Sequence, residues 1–504
     1  MSVIILDIAD LKISSQQKQL LHFPKLQIKQ GDIHSLIGES GSGKSLTLLA
    51  SIGLLPKKIS YAGSISLFGE DSHQHDKKSW EKLRGKRISM VFQEPMSALN
   101  PLMTCGKQLL ECVDIHEQLS KNEAQSKAEK ALTAAGIEDP LRIMDSFPHQ
   151  VSGGQRQRVM IAMACINKPD LVLADEPTTA LDTITASKVL QTLVDNCKQN
   201  NSALLLVSHD IEKVAKFSEY IHVLRHGKIL SQGEIKTVLG PNKHPYVQEL
   251  LDAKPSNDTK LKGGTIPRLS VSNLNKSFNK NGETFKALQN ISFELNAGET
   301  LAIIGFSGSG KTTLAKILTG IEKRDHGTIL LDGTKLPAKA PTGIQMVFQD
   351  PYSSLNINQT CSTCLVEVLT IVGGLDKNKA QEQSNALLDK VGLHGFKSKY
   401  PHQMSGGQRQ RLCIARALCT QPKVLILDES VAALDPLVKK QILQLLKKIQ
   451  QESGMVYLFV THELDVAESI ANKYLMIAKG QIVYMGPSMS SNELKKTYFQ
   501  QLYK

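Results

Sequence analysis

The chain has 504 residues, 41% hydrophobic and 21% charged, which excludes a disordered or fibrous protein and is too long for one ordinary core. Lys and Arg number 60 against 48 acidic residues, a net charge of +12, which favours anionic partners such as nucleotides, nucleic acid or a membrane face without choosing among them. No apolar run approaches the roughly 20 residues of a bilayer span, and MSVIILDIAD has no basic lead-in, so a chain neither secreted nor membrane-spanning is expected. In chain order, a strand is predicted over 33–37, running into a glycine loop at 38–45 and an apolar-periodic helix. Residues 102–146, rich in Ala, Glu, Gln, Lys and Leu, read as an inserted helical subdomain. An apolar strand over 171–174, a helix and a last strand over 203–208 follow. Residues 253–267, AKPSNDTKLKGGTIP, read as a flexible linker. The pattern then recurs, with strands over 300–304, 424–427 and 456–461 and a helical insert over 358–399. Buried strands alternating with helices predict an α/β fold of two domains, 1–252 and 268–504, each a mostly parallel sheet core with a helical subdomain.

Five motifs repeat in one order. GESGSGKS (38–45) returns as GFSGSGKT (305–312), MVFQEPMSALN (90–100) as MVFQDPYSSLN (346–356), and FPHQVSGGQRQR (147–158) as YPHQMSGGQRQR (400–411). LADEPTTALD (173–182) returns as LDESVAALD (427–435), and VSHD (207–210) as VTHE (460–463). Such a series, with small length changes between motifs, means a duplicated domain.

The first motif fits G-x-x-x-x-G-K-[ST] in both copies. Its glycines turn backbone N–H groups toward one anion, and the following helix presents its positive end. Candidate ATP ligands are Gly38, Glu39, Ser40, Gly41, Ser42, Gly43, Lys44 and Ser45, and Gly305, Phe306, Ser307, Gly308, Ser309, Gly310, Lys311 and Thr312. Lys44 and Lys311 can reach the β- and γ-phosphates, and the Ser45 and Thr312 hydroxyls can ligate Mg²⁺. Asp175–Glu176 and Asp428–Glu429 end buried strands, where ligands sit in parallel sheets. The aspartates suit Mg²⁺, and the glutamates suit a catalytic role on the attacking water. Ser152, Gly153, Gly154 and Gln155, and Ser405, Gly406, Gly407 and Gln408, open helices and form a second anion cradle in each half. The eight cysteines share no framework spacing, so reduced thiols are expected, and the C-x-x-C at Cys361 and Cys364 lacks the further ligands of a zinc site.

Phosphate loop, glutamine loop, S-G-G-Q, four apolar residues before D-E, A-L-D and S/T-H, in this order and in duplicate, resemble the nucleotide-binding domains of ATP-binding cassette (ABC) proteins. The resemblance covers essentially both halves and implies two P-loop NTPase domains in tandem, with ATP and Mg²⁺ as cofactors. It implies head-to-tail pairing, each ATP lying between one half's phosphate loop and the other half's S-G-G-Q. Site one would use 38–45, Gln93, Asp175, Glu176 and His209, closed by 405–408. Site two would use 305–312, Gln349, Asp428, Glu429 and His462, closed by 152–155. Mg²⁺ would fall to Ser45, Gln93 and Asp175, and to Thr312, Gln349 and Asp428. Glu176 and Glu429 would be the catalytic bases, and His209 and His462 the switch histidines. Asp182 and Asp435 fall in the family's D-loop. The family stacks adenine on an aromatic residue, which Phe278 supplies in the second half, while Ser15 occupies that place in the first. Weaker nucleotide binding at site one is therefore expected.

QEPMSALNP (93–101), QDPYSSLN (349–356) and FPHQVSGGQRQR resemble the ATPase subunits of oligopeptide, dipeptide and nickel importers, and HPYVQELLDA (244–253) resembles their tail. That implies an ATPase on the cytoplasmic face of the inner membrane, serving two integral-membrane permease subunits and an extracytoplasmic substrate-binding protein, with no nucleic acid partner. Two other twin-cassette classes stand beside it. A ribosome-associated ATPase usually joins its halves by a long charged helix, unlike 253–267, and a tandem sugar-importer ATPase typically has a degenerate second phosphate loop, unlike 305–312.

Overall fold

Alternating apolar residues in IILDIADLKISS and KQLLHFPKLQIK fold as two long antiparallel strands, β1 (Ile4–Ser15) and β2 (Lys18–Lys29), with Leu6, Ile8, Leu11, Ile13, Leu21, Phe23, Leu26 and Ile28 turned into the core. The computed structural model describes residues 3–16, 18–178, 181, 183–253, 264, 267–280, 283–306, 308–338, 343–432, 434–489, 493 and 496. It forms two units, Met1–Ala253 and Lys254–Lys504.

In the first unit, β3 (Ile33–Gly38), β6 (Ile88–Val91), β7 (Leu171–Asp175), β8 (Ala203–Ser208) and β9 (Tyr220–Arg225) make a parallel core in the order β6-β7-β8-β3-β9. Helices cover such sheets on both faces, and every residue of β3 and β7 is buried. An antiparallel strand, β10 (Lys228–Glu234), extends this core, and a single bridge from Lys228 to His22 joins it to β2. Beyond β2 lies an antiparallel layer of β1, β4 (Ile59–Leu67) and β5 (Glu70–Asp71). This layer goes beyond the sequence expectation. The alternation of β1 is broken by a bulge between Ala9 and Lys12, where Asp10 takes a φ of 49°.

The second unit repeats the topology. A parallel core of β16 (Ile344–Val347), β17 (Val424–Asp428), β18 (Val456–Val460), β13 (Thr300–Ile304) and β19 (Lys473–Ala478) carries β20 (Gln481–Pro487) antiparallel at its edge. β11 (Pro267–Lys280), β12 (Glu283–Asn296), β14 (His326–Leu331) and β15 (Thr334–Lys335) form a separate antiparallel sheet. The split is slight, because Gln289 N donates to Gly480 O at 2.7 Å just as His22 N donates to Gly227 O at 2.7 Å.

The helical inserts are Cys105–Asp114, Lys121–Ala134 and Pro140–Asp145 in the first unit, and Cys361–Ile371 and Lys377–Lys390 in the second. One face at i, i+4, i+8 spacing packs inward in each, Ala124, Ala128 and Leu132 in one and Ala380, Ser384 and Leu388 in the other. Ser120 and Glu123 close a capping box at the start of the first of these. Of residues 253–267, Ala253 is buried, Gly264 N donates to Ala297 O at 2.9 Å and Pro267 opens β11. The rest of that segment lies outside the described residues.

Candidate nucleotide sites

β3 and β13 each run straight into a phosphate loop, and the helices Lys44–Ser51 and Lys311–Leu318 leave it. Gly43 and Gly310 stand at the helix starts with φ of 101° and 111°, a left-handed turn that L side chains rarely adopt. A Cβ at Gly310 would lie 2.5 Å from Ala287 O, so backbone packing also demands glycine there. Lys44 Nζ donates to Gly38 O and Glu39 O, both at 2.8 Å, and Lys311 Nζ donates to Gly305 O at 2.7 Å and Phe306 O at 2.8 Å. Each ammonium is thus folded back over its own loop and buried. The Ser42 and Ser309 hydroxyls are buried with no hydrogen-bond partner in the protein, the pattern of a polar group set for a ligand. Ser307 lies outside the described residues.

The acidic pairs close the same sites. Asp175 ends β7 and Asp428 ends β17, both buried. Burial raises both carboxyls above the usual carboxylate range, Asp428 to about 6, and the neighbouring Glu176 or Glu429 adds to the rise. Hydrogen bonds from the Ser45 and Thr312 hydroxyls and the charges of Lys44 and Lys311 act in the opposite direction. The next residue in each unit, Glu176 or Glu429, has a left-handed backbone at φ of 43° or 46°. A bulky non-glycine residue pays strain there, and such strain gathers at functional sites.

That backbone turn aims each glutamate at two other predicted residues. Gln93 Nε2 donates to Glu176 Oε2 at 3.3 Å, and His209 Nδ1 lies 3.2 Å from the same oxygen. In the second unit, Gln349 Nε2 donates to Glu429 Oε2 at 2.9 Å, and His462 Nδ1 lies 3.4 Å from Glu429 Oε1. Glutamine loop, strand-end glutamate and histidine therefore converge in both units, from segments far apart in sequence.

The S-G-G-Q segments are built as helix starts. Ser152 Oγ accepts from Gln155 N at 3.3 Å while Gln155 Oε1 accepts from Ser152 N at 3.0 Å, and Ser405 and Gln408 do the same at 3.3 and 2.9 Å. The second glycine of each segment allows close helix packing. A Cβ at Gly154 would stand 2.8 Å from Thr185 Cγ2, and one at Gly407 would stand 2.3 Å from Val438 Cγ1. Asp435 caps the helix Pro436–Ser453 by accepting from Val438 N at 3.0 Å, and Asp182 lies outside the described residues.

Strand register puts Ser15 and Phe278 in equivalent places. Leu21 packs on Gly43 as Leu288 packs on Gly310, and Ser15 pairs with Lys18 as Phe278 pairs with Phe285. Phe278 is 38% exposed, with Lys276 Nζ 4.8 Å from its ring centre. Sequence reasoning missed Tyr246, whose hydroxyl donates to Glu39 Oε1 of the first phosphate loop at 3.3 Å. The proline and tyrosine of HPYVQELLDA were a signal for an ordered tail, but not for where it packs.

The ABC transporter family model matches residues 21–179 and 288–432. Over 96% of this chain and 86% of the relative, the chain is 35% identical to the glutathione import ATP-binding protein GsiA of Salmonella typhimurium. Over 97% and 96%, it is 36% identical to YejF, an uncharacterized ABC transporter ATP-binding protein of Escherichia coli. Among solved structures, a dimeric post-hydrolysis ATP-binding cassette bound to ADP and Pi aligns with 44% of this chain and 99% of its own, at 27% identity and a TM-score of 0.40. With both units matched in sequence and nearly the whole chain aligned to its relatives, this protein belongs to the ABC transporter family as an ATPase with two cassettes in tandem.

Proposed function

We propose that the chain energises an inner-membrane ABC importer of peptides or a related small solute, through two ATP sites that each draw on both cassettes. The observation that carries this reading is the duplicated convergence of Gln93, Glu176 and His209, and of Gln349, Glu429 and His462, beside an intact phosphate loop. Import rests on the printed function of the GsiA relatives. Cassette one spans 1–252 and cassette two 268–504, with 253–267 as the linker.

In each cassette the loop residues bind the phosphates, and Lys44 or Lys311 exchanges its carbonyl partners for phosphate oxygens. The residues present suit Mg²⁺: Asp175 Oδ1 is buried without a hydrogen-bond partner, beside the Ser45 hydroxyl, an oxygen-donor set fit for a hard cation. Ser45, Asp175 and Gln93 would hold it in one cassette, and Thr312, Asp428 and Gln349 in the other. When bound, it offsets the charge that develops on the transferring phosphoryl group. Glu176 and Glu429 accept a proton from the attacking water, held in place by the neighbouring glutamine and histidine. Segments 405–408 and 152–155 complete sites one and two with helix-start N–H groups.

Closure around ATP moves the clefts near Gln93 and Gln349, where the coupling helices of two permease subunits dock. A cleft of about 710 Å³ lined by Ile321, Met346, Leu369, Val372 and Phe348, the residue before Gln349, supports such a partner surface. By likeness to the import ATP-binding relatives we place the chain on the cytoplasmic face, bound to those permeases; among the described residues no helix is long and apolar enough to cross a membrane. An extracytoplasmic binding protein delivers the solute. Affinity purification of the tagged chain from solubilised membranes tests this: two integral-membrane proteins should copurify, and uptake of labelled peptide should vanish in a Glu176→Gln/Glu429→Gln strain. Copurification with ribosomes and unchanged uptake would contradict it.

A further inference from the structure

Glu39 places a carboxylate in the first phosphate loop, close to where phosphates are expected. An uncompensated negative charge there weakens anion binding. Two residues from the end of the first unit, Arg225 and Tyr246, meet it. Arg225, the last residue of β9, brings Nε to 3.4 Å from Glu39 Oε1, a charge contact without hydrogen-bond geometry, and its Nη1 to 3.1 Å from Glu249. Its guanidinium lies 4.4 Å from the centre of the Tyr246 ring. Tyr246, 2% exposed on the tail helix Pro245–Leu251, donates its hydroxyl to Glu39. Burial first, and then Glu39, raises the phenol above its ordinary range, so it remains a donor.

The second unit is an internal comparison. Phe306 stands in place of Glu39, and Ala478 in place of Arg225, since Leu224 O crowds Gly38 as Ile477 O crowds Gly305. The loop charge and the cation that answers it are both missing there, so they belong together as one device.

We infer that Arg225 and Tyr246 are positioning residues that hold the Glu39 carboxylate away from the phosphates, so that the tail helix sets the nucleotide affinity of the first loop. The inference rests on the reading of 38–45 as an ATP site. Equilibrium titration with ATP tests it in the full-length chain carrying Lys311→Ala, so that binding reports the first loop. Arg225→Leu, which keeps an apolar stem over Tyr246, should weaken ATP binding about fivefold, and Tyr246→Phe about twofold. Adding Glu39→Gln to Arg225→Leu should return affinity to within about twofold of the starting chain, which a merely structural defect would not allow. Equal weakening by Arg225→Leu with Glu39 or Gln at position 39, or no weakening at all, would overturn the inference. Lys44→Ala in the same chain should abolish binding. Full retention of binding there would instead overturn the site reading, and the inference with it.

Discussion

Glu176 and Glu429 accept a strained backbone, with φ of 43° and 46°, to face a glutamine and a histidine. Replacing both by Gln keeps shape but removes the proposed base. Phosphate release from the double variant should drop by about 10²-fold or more while ATP binding persists. Phe278 and Ser15 occupy equivalent places in the two cassettes, and the proposed adenine stacking makes them a testable difference between the sites. Phe278→Ala should cost about 1 kcal/mol of ATP affinity, close to fivefold, at the second site, and Ser15→Tyr should gain at the first. Titration of full-length chains disabled at the other loop by Lys44→Ala or Lys311→Ala checks both. The positions of Lys44 at a helix start and Asp175 at a strand end were legible in the sequence, because a glycine loop before a helix and an apolar run before D-E are local patterns. The contact of Tyr246 with Glu39 was not, because it joins positions 207 residues apart and depends on how the tail helix lies.

The helix and strand elements show where local pattern suffices. β7 and β17 are uninterrupted apolar runs that end in a carboxylate, so they could be predicted to within a residue. The antiparallel layer was not, because bulges between Ala9 and Lys12 and between Ile13 and Ser14 shift the alternation along β1. Two predictions belong to these elements. Gly407→Ala puts a methyl 2.3 Å from Val438 Cγ1 and should cost about 1–3 kcal/mol of stability, read as a lower melting temperature. In the first unit, His34 on β3 and His222 on β9 are buried, with Nδ1 and Nε2 3.1 Å apart. Burial lowers them to about 4 and about 3, and the His34 charge adds to the drop at His222. The unfolded chain takes up these protons near pH 6.5 while the folded chain does not. Stability contributed by the pair is therefore intact above pH 6.5 and lost as pH falls from there toward 4. Urea midpoints measured from pH 7 to pH 5 should decline, and His222→Gln should make the decline shallower. An unchanged slope would reject the assignment.

At the scale of the whole molecule, one ATPase fold appears twice, but the copies are not equivalent. The first carries Glu39, Arg225 and the tail helix, and the second carries Phe278. The duplication was plain from five ordered motifs and the Phe278/Ser15 difference from aligning the first strands, whereas the meeting of Glu39 with Arg225 and Tyr246 emerged only from side-chain contacts. The proposal that ties the two cassettes together is that each ATP site takes its phosphate loop from one and its S-G-G-Q from the other. Turnover by full-length pairs of substitutions tests it directly. Lys44→Ala with Ser405→Arg injures one site twice, so its turnover should match that of the weaker single variant. Lys44→Ala with Ser152→Arg injures both sites, so turnover should fall to background. The reverse pattern, with the second pair no worse than its singles and the first pair inactive, would contradict the account.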